Sequence, residues 1–191
     1  LKICGITRLS EGISAFEQGA DLVGVVRAPG SPRYASVDVI RKLSKKNVKL
    51  AGVYTRQEDI GSETDYLDYV QLHFRHDAST IQSIKEKHAV RVISVALSMD
   101  PVMEQRLVEY RDGGADVLLV EFASGFGAEI ERARSLRQKI RFGVAGAIQY
   151  ADLAGIKKLN FSMIDVSRSL EASPGIKDPE KMSRFIREAL N

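Results

Sequence analysis

Eight short apolar runs, nearly all followed by a stretch of helical periodicity, constrain this chain more than any other feature. The runs cover residues 1–6, 21–26, 49–54, 69–74, 91–97, 116–122, 141–146 and 163–169. They are rich in Val, Ile and Leu on both faces, as strands buried on both sides of a parallel sheet are. Helical patterns cover 10–18, 37–45, 79–87, 101–111, 128–138, 150–154 and 179–190. The stretch 56–65 is short, polar and interrupted by Gly61, so the third helix is expected to be short or degenerate. Parallel strands need crossover connections, which are almost always right-handed. Eight such units predict an α/β chain closed into a single (β/α)8 TIM barrel over residues 1–191. An open doubly wound sheet is the rival. No Gly-x-Gly-x-x-Gly follows the first run, which argues against a dinucleotide site.

Composition narrows the function classes. A chain of 191 residues with 44% hydrophobic content can bury a sizeable core. Its one cysteine, Cys4, excludes an internal disulfide and argues against a secreted, stapled scaffold. No apolar run approaches the roughly 20 residues that span a bilayer, so no membrane partner is expected, and a cytoplasmic location is the default. The 28 basic and 25 acidic residues leave a net charge of +3, dispersed along the sequence. The basic clusters at 42–49 and 132–141 read as solvated helix faces and loops, so nucleic acid is not an expected partner. His73, His76 and His88 lack metal-ligand spacing, and no metal or other cofactor is expected. Nothing in the sequence distinguishes a monomer from a homodimer.

In such barrels the C-terminal ends of the strands converge on one mouth, where the chemistry sits. Cys4 ends the first run beside a turn glycine, where a thiol can ionise and move a proton. Glu121 ends the sixth, after Val117-Leu118-Leu119-Val120, and a carboxylate in so apolar a run needs a partner or a task. Arg33 follows the second run after Ser31-Pro32; Gly146 ends the seventh, and Ser167, Arg168 and Ser169 end the eighth. Loops after the seventh and eighth strands commonly bind phosphate through backbone N–H groups. The set holds a base, an acid, an anion clamp and two phosphate-type loops. The plain structural alternatives are packing for Cys4, a surface loop for Arg33 and strand termination for Gly146.

These residues, in this order, resemble the phosphoribosylanthranilate isomerase family, from end to end. The resemblance runs through Lys2-Ile3-Cys4-Gly5-Ile6-Thr7, Gly24-Val25-Val26, Ser31-Pro32-Arg33, Val70-Gln71-Leu72-His73, Val144-Ala145-Gly146 and Asp165-Val166-Ser167, then Glu171 and Gly175-Ile176-Lys177-Asp178. It implies an Amadori rearrangement of an aminoaldose phosphate in tryptophan biosynthesis, without metal or redox cofactor. It also implies that Cys4 is the general base, acting as a thiolate whose pKa is lowered by positive potential. Arg33 would hold the anthranilate carboxylate, and a phosphosugar would be the small-molecule partner.

The chain departs from the family pattern at the mouth. Glu121 stands where an aspartate general acid is usual, one methylene longer; acting as an acid, it would need a raised pKa. Ala147 replaces a second glycine and Arg168-Ser169 replaces Ser-Gly, so phosphate would be bound by Gly146, Ala147, Ser167, Arg168 and Ser169, with Arg168 either pairing with it or filling its place. Phe74 replaces a glycine and is expected near the mouth. These changes keep two other readings open: a diverged barrel that binds or isomerises another sugar phosphate, and a barrel retained for partner binding.

Overall fold

Strand and helix alternate along the whole chain in the computed structural model, which describes residues 1–191. The strands are β1 (Lys2–Ile3), β2 (Leu22–Val26), β3 (Leu50–Tyr54), β4 (Tyr69–Leu72), β5 (Arg91–Leu97), β6 (Val117–Glu121), β7 (Gly143–Ala145) and β8 (Asp165–Val166). They form one sheet in the order β7-β6-β5-β4-β3-β2-β1-β8, every neighbouring pair parallel. The ends meet: Val144 and Ile164 form a parallel bridge, and Val144 N–H donates to the Met163 carbonyl at 2.8 Å. The sheet is therefore a barrel, which disposes of the open-sheet rival.

The helices are α1 (Leu9–Glu17), α2 (Val37–Ser44), α3 (Ala78–His88), α4 (Met103–Asp112), α5 (Ile130–Lys139), α6 (Leu153–Leu159) and α7 (Pro179–Leu190). Between β3 and β4 only two 3-10 turns stand, Gln57–Asp59 and Ser62–Tyr66, as the polar, glycine-interrupted sequence there suggested. Side-chain caps fix three helix starts. Ser36 accepts from Val39 N–H, Asp77 from Thr80 N–H, and Asp178 from Glu180 and Lys181 N–H, with Pro179 at the first helical position.

Strand alternation sorts the side chains into two layers. Ile3, Val70, Leu72, Val120, Val144 and Val166 point outward into the main apolar layer beneath the helices. Leu22, Ala51, Ile93, Val95, Leu119 and Ala145 fill the barrel interior. The inward phase puts Lys2 with Cys4, Gln71 with His73, Leu119 with Glu121, and Asp165 with Ser167 on the same face of their strands. Each first member lies deeper and each second member reaches the C-terminal mouth.

Two elements differ from the sequence reading. Tyr150–Asp152 is a 3-10 turn, and α6 continues it to Leu159, past the expected end at residue 154. Gly155 lies against Ile130 of α5, where a side chain would collide, so here glycine serves close helix packing. The eighth strand ends at Val166; Ser167 leaves it, and Arg168–Leu170 form a 3-10 turn. A short antiparallel hairpin, β9 (Glu171–Ser173) with β10 (Ile176–Lys177), then leads into α7.

Candidate active site

Cys4, Arg33, His73, Glu121, Gly146, Ala147, Ser167, Arg168 and Ser169 line one cavity of about 330 Å³ at the mouth. All eight residues expected from the sequence are thus brought together, and His73 joins them. Cys4 sits just past β1, its N–H donating to the Val166 carbonyl at 2.8 Å. Opposite it on β2, Gly24 has no alternative residue. A Cβ there would stand 2.7 Å from Cys4 Sγ and 2.8 Å from Lys2 Nζ. The same distances show that the thiol and the ammonium share one pocket inside the barrel.

Beneath Cys4 lies a buried polar floor. Lys2 Nζ pairs with Asp165 Oδ2 at 2.8 Å, with both side chains almost wholly enclosed. Gln71 Nε2 approaches the same oxygen at 3.5 Å, leaving Gln71 Oε1 and Asp165 Oδ1 without protein partners. Burial works against the Lys2 charge, but Asp165 and Cys4 outweigh it and hold its pKa above the ordinary lysine value. Burial pushes the Cys4 thiol up, and Lys2 offsets only part of that while Asp165 adds to it. The expected downward shift of Cys4 is therefore reversed: burial outweighs the positive potential of Lys2, and Asp165 adds to the rise.

Glu121 faces the mouth from β6, and its Oε2 lies 2.7 Å from His73 Nε2 at the end of β4. That hydrogen bond lowers the Glu121 pKa; burial opposes it, and the charges of His73 and Arg168 add to the lowering. The carboxyl expected to be raised is instead lowered, because it reaches the His73 ring and lies in the field of Arg168.

Arg33 is held by a partner within the protein. Its Nε and Nη2 donate to the two oxygens of Glu171 at 2.8 and 2.7 Å, a bidentate pair. Lys177 Nζ reaches the same carboxylate at 3.2 Å and the Ser167 carbonyl at 3.0 Å. Burial opposes the Glu171 charge, but Arg33 and Lys177 prevail and lower its pKa. Arg33 is held in place by one edge of its guanidinium, leaving the other edge outside this pair.

The phosphate-type loops retain free donors. Gly146 (φ 97°) is needed because a Cβ would strike the Phe122 carbonyl oxygen. Ala147 follows at φ 46°, a left-handed conformation that glycine adopts more readily. The N–H groups of Gly146 and Ala147 donate to no acceptor in the protein, and the buried Ser169 Oγ also lacks a partner. Arg168 is exposed at the rim and engages in no ion pair. Phe74 is not in this cavity. Its ring turns edge-on to His76, 5.6 Å between centroids, and lines a neighbouring cavity that shares His73 and Val95 with the mouth.

His73, Lys2, Asp165 and Glu171 are the site residues that single-residue reasoning missed. The signal was present for two of them: a lysine and an aspartate in the inward phase of buried strands require partners.

The sequence model of N-(5'-phosphoribosyl)anthranilate isomerase matches residues 1–188. The N-(5'-phosphoribosyl)anthranilate isomerase of Thermoplasma volcanium is 39% identical over 194 residues, covering 100% of this chain and 97% of the relative. The crystal structure of phosphoribosyl anthranilate isomerase from Thermotoga maritima superposes with a TM-score of 0.86 at 29% identity, covering 99% of this chain and 97% of that one. A phosphoribosyl anthranilate isomerase crystallised with reduced 1-(o-carboxyphenylamino)-1-deoxyribulose 5-phosphate gives 0.84 at 28% identity, with 99% and 97% covered. No helix is long and apolar enough to cross a membrane.

Proposed function

Since this chain belongs to the N-(5'-phosphoribosyl)anthranilate isomerase family, we propose that it performs the Amadori rearrangement of N-(5'-phosphoribosyl)anthranilate with Cys4 as general base and Glu121 as general acid. The observation that carries this reading is the convergence of a thiol, a carboxyl, a free guanidinium and unpaired backbone donors on one cavity. Glu121 delivers a proton to the furanose ring oxygen as the bond from that oxygen to the first sugar carbon breaks, and the ring opens to an imine. Cys4 takes the proton from the second sugar carbon. The electron pair left behind forms the enolamine, which tautomerises to the aminoketose.

The surroundings suit these tasks. The Cys4 thiol stands beside the Lys2 ammonium, which offsets part of what burial costs the thiolate. Arg33, braced by Glu171, offers its second edge to the anthranilate carboxylate. The Gly146 and Ala147 amides, with Ser167, Arg168 and Ser169, take the phosphate. Arg168 binds rather than blocks because it is exposed and unpaired at the rim.

Turnover of freshly made phosphoribosylanthranilate, followed by loss of its fluorescence, tests the reading. Cys4→Ser and Glu121→Gln should each lower kcat by about 10²–10⁴-fold, with the Michaelis constant nearly unchanged. Wild-type protein no faster than Cys4→Ser would defeat the assignment and turn the search to other sugar phosphates.

A further inference from the structure

The geometry points to His73 as the proton source of the acid: along the 2.7 Å contact between its Nε2 and Glu121 Oε2, His73 passes to Glu121 the proton that Glu121 delivers to the substrate. This inference rests on the reading of Glu121 as the acid and assigns a task to a residue that reading leaves idle. A carboxylate held by a histidine N–H has no proton of its own to give. The pair acquires one when the ring is doubly protonated. The proton then moves from Nε2 to Oε2, leaving a neutral imidazole beside a neutral carboxylic acid. When the ring oxygen takes that proton, the pair returns to neutral imidazole and carboxylate, and solvent at the open mouth restores the ring.

Both groups are placed for this. His73 is 33% and Glu121 26% exposed by side chain, so the pair touches solvent and the cavity together. The inward phases of β4 and β6 aim them across the mouth, and β5 lies between their strands in the sheet order. An aspartate at position 121 is one methylene shorter, so the contact depends on the residue this chain carries. The charged and titratable groups around the pair are Arg168 from the turn after β8, with Cys4, Arg33 and Asp165 in the same cavity. On the other side of His73, the neighbouring cavity presents Arg75, Asp100, Arg106 and Tyr110.

The test compares the pH dependence of kcat for wild type, His73→Asn and His73→Gln. Both amides can still donate a hydrogen bond to Glu121, but neither can hold the transferable proton. At about pH 8 the variants should turn over about tenfold or more slowly. The deficit should shrink as the pH falls toward about 6, because acid solution protonates Glu121 without help. A merely structural role would give a deficit that is the same at every pH, and that result, or no deficit in either variant, overturns the inference. Glu121→Gln assayed alongside separates the two failures. If that variant keeps wild-type turnover, the acid assignment itself is wrong; if it is inactive while both His73 variants behave as wild type, only the role of His73 fails.

Discussion

At the scale of residues, the site is built from charges that constrain one another. Lys2 is enclosed in the barrel against Asp165 and stands beside Cys4. Removing one member of a buried pair leaves the other uncompensated, which costs about 3–5 kcal/mol. Lys2→Met should therefore lower the unfolding free energy by about that amount, read from denaturant melts, and Lys2→Met with Asp165→Leu should recover most of it. If the single variant were as stable as wild type, the pair would not be structural. The sequence showed Cys4 and Glu121 as chemical groups at strand ends and Arg33 in the loop after the second strand, but not their states. Cys4 is raised rather than lowered because burial outweighs the Lys2 ammonium and the Asp165 charge adds to the rise, and Glu121 is lowered because it reaches His73. Likewise Arg33 meets Glu171 across 138 positions. Such pairings depend on which strands face one another across a closed barrel and on side-chain reach, and neither is encoded in local periodicity.

At the scale of elements, the long patterns were legible and the short ones less so. The runs at β2, β3 and β5 and the amphipathic α7 stand where their periodicity places them. β1 and β8 are each only two residues long, because strand length is set by hydrogen-bonding neighbours as much as by apolar content. The loop after β7 carries unpaired backbone donors and also a strained residue. Ala147 sits at positive φ, a conformation that costs a residue with a Cβ about 1–2 kcal/mol. Ala147→Gly should stabilise the chain by about 1 kcal/mol, raising Tm by about 2–4 °C, while leaving the donors in place. A fall in Tm on calorimetry would mean that the methyl group packs more favourably than its backbone is strained.

At the scale of the whole molecule, the barrel gathers residues from distant parts of the chain into one cavity. The site draws Cys4 from β1, Arg33 from the loop after β2, His73 from β4, Glu121 from β6, and the phosphate-type loops from β7 and β8. Where β7 meets β8 through Val144 and Ile164, the loops that follow these two strands come to the same rim of the cavity. The polar floor of Lys2, Gln71 and Asp165 replaces apolar filling directly under Cys4, in a barrel whose other interior side chains are largely aliphatic. The most direct test of the central claim is a crystal structure of this protein with reduced 1-(o-carboxyphenylamino)-1-deoxyribulose 5-phosphate. The account predicts phosphate on the Gly146 and Ala147 amides and Arg168, the carboxylate on Arg33, and the second sugar carbon against Cys4 Sγ with Glu121 on the far side. A ligand whose phosphate lies elsewhere, or whose sugar carbons are out of reach of both Cys4 and Glu121, would contradict it.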